Sequence, residues 1–126
     1  MNIKKLFIVD GVGALLSAFF LGVVLVKLQA LIGMPKNTLY VLAVFPVFFA
    51  LYDFISYFQK PITQVFLLKL IAYFNSIYCI VSMYLLFQHA ESLLPLGWLY
   101  FIGEIIILGI LIFIELRTVR SYKLNH

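Results

Sequence analysis

Charge is scarce in this sequence, and hydrophobic residues dominate it. Only 11% of the 126 residues are charged, 65% are hydrophobic, and the mean hydropathy is +1.13. A water-soluble domain of this size could not bury so much apolar surface. Since a membrane-spanning helix needs about 20 apolar residues, the chain has room for four spans and little else. We therefore expect a single domain, an all-α four-helix antiparallel bundle embedded in a membrane.

Cysteine and histidine are also scarce, which excludes several kinds of metal and disulfide site. Cys79 is the single cysteine, so intramolecular disulfides and cysteine-ligated metal clusters are excluded. The two histidines, His89 and His126, do not have the spacing of a metal-binding pair. Gly11-Val-Gly13 lacks the third glycine of a dinucleotide-binding loop. The sequence therefore predicts no metal, no cofactor and no enzymatic activity.

Four apolar segments follow one another along the chain. The basic start resembles a signal peptide, but the first segment is longer than the apolar part of a signal and contains Asp10, so we expect it to remain as the first helix. Pro46 falls within the second segment and predicts a kink, which could serve packing or act as a gating hinge. The connection from Leu28 to Gly33 is unusually apolar, and we expect an interfacial segment there. The predicted helices cover about residues 6–26, 38–58, 63–87 and 95–116.

Lysine and arginine are divided unevenly between the two ends of this bundle. The end opposite the termini carries only Lys27 and Lys36, so the positive-inside rule places both termini in the cytoplasm. The basic residues form no continuous basic face, and we therefore expect contact with anionic lipid headgroups at the cytoplasmic face and none with nucleic acid. Seven basic residues lie at the end with the termini: Lys4, Lys5, Lys60, Lys69, Arg117, Arg120 and Lys123. Four aromatic residues are expected at the outer interface: Tyr40, Tyr84, Trp98 and Tyr100.

Ionisable residues inside the spans are the best functional signal, because a charge in hydrocarbon costs about 2.5 to 3.5 kcal/mol on insertion scales. Asp10, Asp53 and Lys69 share one depth, roughly one to two turns from the cytoplasmic boundary. Three interpretations are open. The lysine could pair with both aspartates, it could extend to the headgroups while the aspartates are wetted, or the group could relay a proton or an ion.

Glu104 falls near the centre of the fourth helix, beyond the reach of the headgroups. Ser17, Asn75 and the carbonyl freed by Pro46 are at a similar depth, so one hypothesis is a neutral glutamic acid that serves packing. The other is a titrating carboxyl that binds a cation or carries a proton. Glu115 lies on the same helical face and could either continue a polar track or form a solvated helix end.

Helical phase limits how these residues can be combined. Asp10 and Ser17 share a face of the first helix, so Asp10 should point into the bundle. Lys69 and Asn75 lie on different faces of the third helix, because six residues do not return a helix to the same side. One continuous network through all the polar residues is therefore not expected, and one face of the third helix could meet a second subunit.

Three stretches resemble a group of small four-helix membrane proteins of the Bacteroidota. They are Asp10-Gly-Val-Gly-Ala-Leu-Leu-Ser17, Tyr52-Asp53-Phe54 and Gly97-Trp-Leu-Tyr-Phe-Ile-Gly-Glu104. The resemblance covers most of the chain and implies the four-helix fold, but no settled activity comes with it. In size the chain is also similar to small multidrug transporters. Their essential carboxylate lies deeper in the first helix than Asp10, and their aromatic motifs are absent here.

Two functional hypotheses follow for a multi-pass protein of a bacterial cytoplasmic membrane. The first is a non-enzymatic scaffold or binding protein that contacts lipids, a second copy of itself or another membrane protein. The alternative is a small oligomeric transporter coupled to protons or cations, in which Glu104 and with it Asp10 and Asp53 titrate. Four helices rarely enclose a pathway alone, so the alternative requires an oligomer.

Overall fold

The computed structural model describes the backbone of residues 3–125 and the side chains as far as Tyr122, and it is all-α over that range. Each of its four long helices is long and apolar enough to cross a bilayer, which confirms the predicted all-α four-helix class. The last helix runs well beyond its expected end near residue 116. The helices are α1 (Ile3–Lys27), α2 (Lys36–Tyr57), α3 (Pro61–Gln88) and α4 (Pro95–Asn125).

Large apolar side chains cover the outside of the bundle. Phe87 and Leu99 are each 71% exposed, and many other Ile, Val, Leu and Phe residues of all four helices are exposed in the same way. Exposure of such a surface to water would be unfavourable, whereas lipid chains are as apolar as the side chains themselves. The outward face thus agrees with a multi-pass membrane protein.

Two helices carry local irregularities. In α1 the segment Phe20–Val24 forms a π-helical turn between the α-helical stretch Ile3–Phe19 and the final residues Leu25–Lys27. In α2 the helix continues through Pro46, which is buried. π-Helical turns inside α-helices are frequent at functional sites.

The four helices pack as two pairs. α1 packs along α2, α3 packs along α4, and α1 and α4 approach each other only slightly. Gly11 permits the close approach of α1 and α2, because a Cβ at this position would lie 3.3 Å from the Cβ of Asp53. A groove therefore remains between α1 and α4.

The connection from Leu28 to Gly33 contains a short helix that packs against α4. A short helix, Gln29–Ile32, ends at Gly33 with φ of 88°, and both Ile32 and the following Met34 are fully buried. The backbone N–H of Leu94 donates to the carbonyl of Ile32 at 2.9 Å. The segment thus packs against the start of α4 through Ile32, whereas Leu28 and Leu31 are exposed.

Buried hydrophobic residues form two clusters with polar residues between them. Along α1, Leu6 and Phe7 belong to one cluster, while Leu21 and Leu25 belong to the other. The stretch between them contains Asp10 and Ser17. The middle of the bundle is therefore where polar side chains converge.

Candidate functional site

The groove between α1 and α4 encloses a cavity of about 640 Å³ and is open where the two helices separate. Side chains of α2 and α3 form its floor, and α1 and α4 form its walls. Gly13 on one wall and Gly103 on the other leave it wide, since a Cβ at either glycine would have no heavy atom within 4 Å. The floor consists of Pro46, Phe49, Asn75 and Tyr78. Apart from a few polar groups, the lining is apolar.

Glu104 lies in this groove and accepts hydrogen bonds from three hydroxyl groups. The Ser17 hydroxyl donates to Oε2 at 2.7 Å, the Tyr100 hydroxyl to the same oxygen at 2.9 Å, and the Tyr78 hydroxyl to Oε1 at 2.7 Å. These donors come from α1, α3 and α4. Counted from Pro95 at about 1.5 Å per residue, Glu104 lies roughly 13 Å along α4, near the middle of a hydrocarbon layer of about 30 Å.

A second polar cluster lies nearer the termini and consists of Asp10, Asp53, Asn75 and Glu115; we call it the acid cluster. Asp10 is 2% exposed, Asp53 1% and Glu115 0%. The Asn75 amide donates to both oxygens of Asp10, at 3.3 and 3.4 Å. The carboxyl groups of Asp53 and Glu115 are side-chain neighbours of Asp10. Four helices thus contribute one member each.

Two carboxyl groups of the acid cluster, those of Asp53 and Glu115, lack a hydrogen-bond donor among the described groups. Neither oxygen of Asp53 and neither oxygen of Glu115 has a hydrogen-bond partner among the described groups. Two ionised carboxylates can only repel each other, whereas a protonated carboxyl donates to its neighbour. Three negative charges in one buried site without a cation would be strongly unfavourable. The arrangement is therefore suited to carboxyl groups that share protons.

Of the three interpretations left open for Asp10, Asp53 and Lys69, pairing of the lysine with both aspartates is not observed among the described residues. Asp10 and Asp53 do lie together, but Lys69 is partly exposed and forms no ion pair within the described part of the chain. Lys69 is on the face of α3 that also carries the exposed Tyr73, whereas Asn75 points into the bundle. The prediction that Lys69 lies at the depth of the two aspartates was correct. Lys69 does not contact them because it lies on a different side of α3.

The partners of Glu104 were predicted only in part. Ser17 donates to Glu104, but Asn75 bonds to Asp10 instead. Tyr100 was expected at the outer membrane interface, yet its hydroxyl donates to Glu104. The spacing of four residues between Tyr100 and Glu104 on one helix is the signal that could have identified this pair. Tyr78, on another helix, carried no such signal.

Glu115 is not a solvated helix end. It is fully buried in the acid cluster, and it does not continue a track from Glu104, which belongs to the other polar group. Among the described residues, no three His, Cys, Asp or Glu side chains are arranged to hold a metal ion. The polar residues thus form two groups, one around Glu104 and one around Asp10, both along the groove.

Comparison with protein-family models, with curated proteins and with solved structures gives no match for this chain, so its function has to be inferred from the groove and its carboxyl groups.

Proposed function

We propose that the protein binds a lipophilic organic cation inside the bilayer, in the groove between α1 and α4, with Glu104 as the anionic anchor. The observation that carries this proposal is the position of Glu104: a carboxylate with three hydroxyl donors lines an apolar cavity near mid-membrane depth. Such a site combines apolar lining with one polar group that fixes orientation, which is typical of small-molecule sites.

The charge of Glu104 supports a ligand rather than a packing role. Hydrogen bonds to a charged group contribute about 1.5 to 3 kcal/mol each, so three hydroxyl donors can hold a carboxylate in this environment. A carboxylate has about four acceptor positions, and three are occupied here. No Lys, Arg or His of the described residues forms an ion pair with Glu104. An entering cation would supply the missing counter-charge.

Aromatic rings around the carboxylate favour an organic cation. Phe20 of α1 lies 6.2 Å from Tyr100 of α4, and Phe49 of α2 lies 6.2 Å from Tyr78 of α3, measured between ring centroids. All four rings line the groove together with Glu104. Aromatic faces attract cations by about 0.5 to 2 kcal/mol per contact, most strongly where water is excluded. Rings and carboxylate together favour a bulky amine or quaternary cation over a bare metal ion.

The volume and opening of the groove agree with a ligand that arrives from the membrane. A cavity of about 640 Å³ falls within the usual 300 to 1,000 Å³ of small-molecule pockets. Its opening lies between two helices that present apolar side chains outward, so a lipophilic molecule could enter sideways from lipid. A scaffold protein would need neither the cavity nor the carboxylate.

Binding of tetraphenylphosphonium tests the proposal. The protein is reconstituted in phospholipid nanodiscs, and saturable binding is measured by equilibrium dialysis against empty nanodiscs. Tetraphenylborate, an anion of nearly the same shape, is the control ligand. We expect the cation to bind at one site per chain and the anion not to bind saturably, because Glu104 attracts one and repels the other. Equal behaviour of the two ions would contradict the proposal.

A pair of glycine substitutions locates the site. Gly103→Leu places a side chain in the groove, whereas Gly109→Leu adds the same side chain on the same helix outside it, and a Cβ at either position has nothing within 4 Å. Both variants should therefore fold. We expect Gly103→Leu to abolish cation binding and Gly109→Leu to retain it; the reverse pattern would place the site elsewhere.

A further inference from the structure

The acid cluster is not required by the cation site, and the fold does not explain it. Asp53 and Glu115 are both nearly fully buried, and their four carboxyl oxygens have no hydrogen-bond partner among the described groups. Buried unsatisfied oxygens destabilise a fold, and apolar residues would fill the same space without that penalty. Buried carboxyl oxygens without hydrogen-bond partners point to a ligand that binds them, and the smallest such ligand is a proton.

Every helix brings a polar group to Asp10. Asp53 faces it from α2, Asn75 from α3 and Glu115 from α4. Tyr52 lies beside Asp53, but its hydroxyl is engaged with the carbonyl of Leu67 at 2.8 Å. The charge of the acid cluster can therefore be balanced by protons alone among the groups that face it.

The acid cluster is connected to the cation site through α1 and the groove. Asp10 and Asn75 belong to the cluster and also line the groove. Asp10 precedes Ser17, a donor to Glu104, by seven residues, which is about 10 Å along the helix. At about 10 Å and an effective dielectric constant of about 20, a unit charge changes the proton affinity of a carboxyl group by about tenfold.

We infer that the acid cluster stores a proton that is released when a cation enters the groove, so that cation binding and proton binding each weaken the other by about tenfold. This inference rests on the proposed function of Glu104. The step is a single proton transfer: an O–H bond of one cluster carboxyl breaks, the carboxylate remains, and the proton passes to solvent. The proton that leaves thus offsets part of the positive charge that enters the bilayer. The same exchange is what a proton-coupled carrier requires.

Proton release on ligand binding tests this inference. Purified protein in detergent is placed in weakly buffered solution with a pH indicator, and tetraphenylphosphonium is added. Because this cation is permanently charged and carries no exchangeable proton, any released proton comes from the protein. Because the coupling is about tenfold, we expect release of about half a proton per bound cation at the pH where the acid cluster titrates. By linkage, affinity for the cation should fall by about tenfold in total as the pH falls through the range where the cluster takes up its proton.

The matched variant is Asp53→Asn combined with Glu115→Gln. Neither position lines the groove, and both amides imitate the shape of a protonated carboxyl, so folding and cation binding should be retained. The amides hold no exchangeable acid proton and can donate to Asp10, so we expect proton release to fall close to zero. Cation binding with no release in the wild type, or full release in the variant, would overturn the inference alone. Absence of cation binding in the wild type would overturn the proposed function and the inference with it.

Discussion

Replacing Glu104 by glutamine separates an anionic anchor from a packing role. Glutamine keeps the size of the side chain but removes the charge; its oxygen can still accept from the hydroxyls of Ser17 and Tyr100, while its NH2 group can donate to the Tyr78 oxygen. At about 4 Å and an effective dielectric constant of about 20, two unit charges attract by about 4 kcal/mol. Desolvation of the ligand offsets part of this. A net loss of about 2 to 4 kcal/mol corresponds to about 30- to 1,000-fold weaker binding of tetraphenylphosphonium.

The assay compares binding and stability in the same preparation. Equilibrium dialysis in nanodiscs gives the affinity, and thermal unfolding in detergent gives the stability, which we expect to change by about 1 kcal/mol or less because single hydrogen bonds in membrane helices contribute about that much. Glu91→Gln is the control, since Glu91 is an exposed carboxylate outside the four helices. If the Glu104→Gln protein is folded and binds the cation within about threefold of the wild type, the anchor role is refuted.

Three further predictions concern the fold. Gly33→Ala should destabilise the protein by about 1 to 3 kcal/mol in thermal unfolding, because Gly33 has φ of 88° and an added Cβ would meet the carbonyl of Ser92; Gly109→Ala, in open space, should be neutral or slightly stabilising. Tyr52→Phe should lower stability by about 0.6 kcal/mol by removing the hydrogen bond to the Leu67 carbonyl, and an unchanged unfolding temperature would contradict that contact. Reporter fusions at the two termini should both report the cytoplasm, and a reporter on opposite sides would contradict the four-span topology.

Several features of the polar sites could be predicted from sequence, and they share one physical basis. In lipid, each spanning segment must satisfy its own backbone hydrogen bonds, so hydropathy alone identifies helices and their approximate ends. Depth then follows from counting residues at a fixed rise, and this counting correctly placed Asp10 beside Asp53 and Ser17 beside Glu104. Helical phase also predicted that Asp10 points into the bundle.

Other contacts depended on which helices are neighbours and how each is rotated. Lys69 shares the depth of Asp10 but faces outward, and Tyr78 meets Glu104 only because α3 and α4 form a pair. The burial of Ile32 in the apolar segment before Gly33 likewise depends on the packing of α4 against it. Sequence by itself therefore determined the class of the protein, its four helices and the depth of its carboxyl groups. Tertiary packing alone decided how the helices are rotated and paired, and with that the groove and the separation of Glu104 from the acid cluster. The reason is that lipid covers any apolar face equally well. Hydropathy therefore cannot distinguish a face that meets lipid from one that meets another helix.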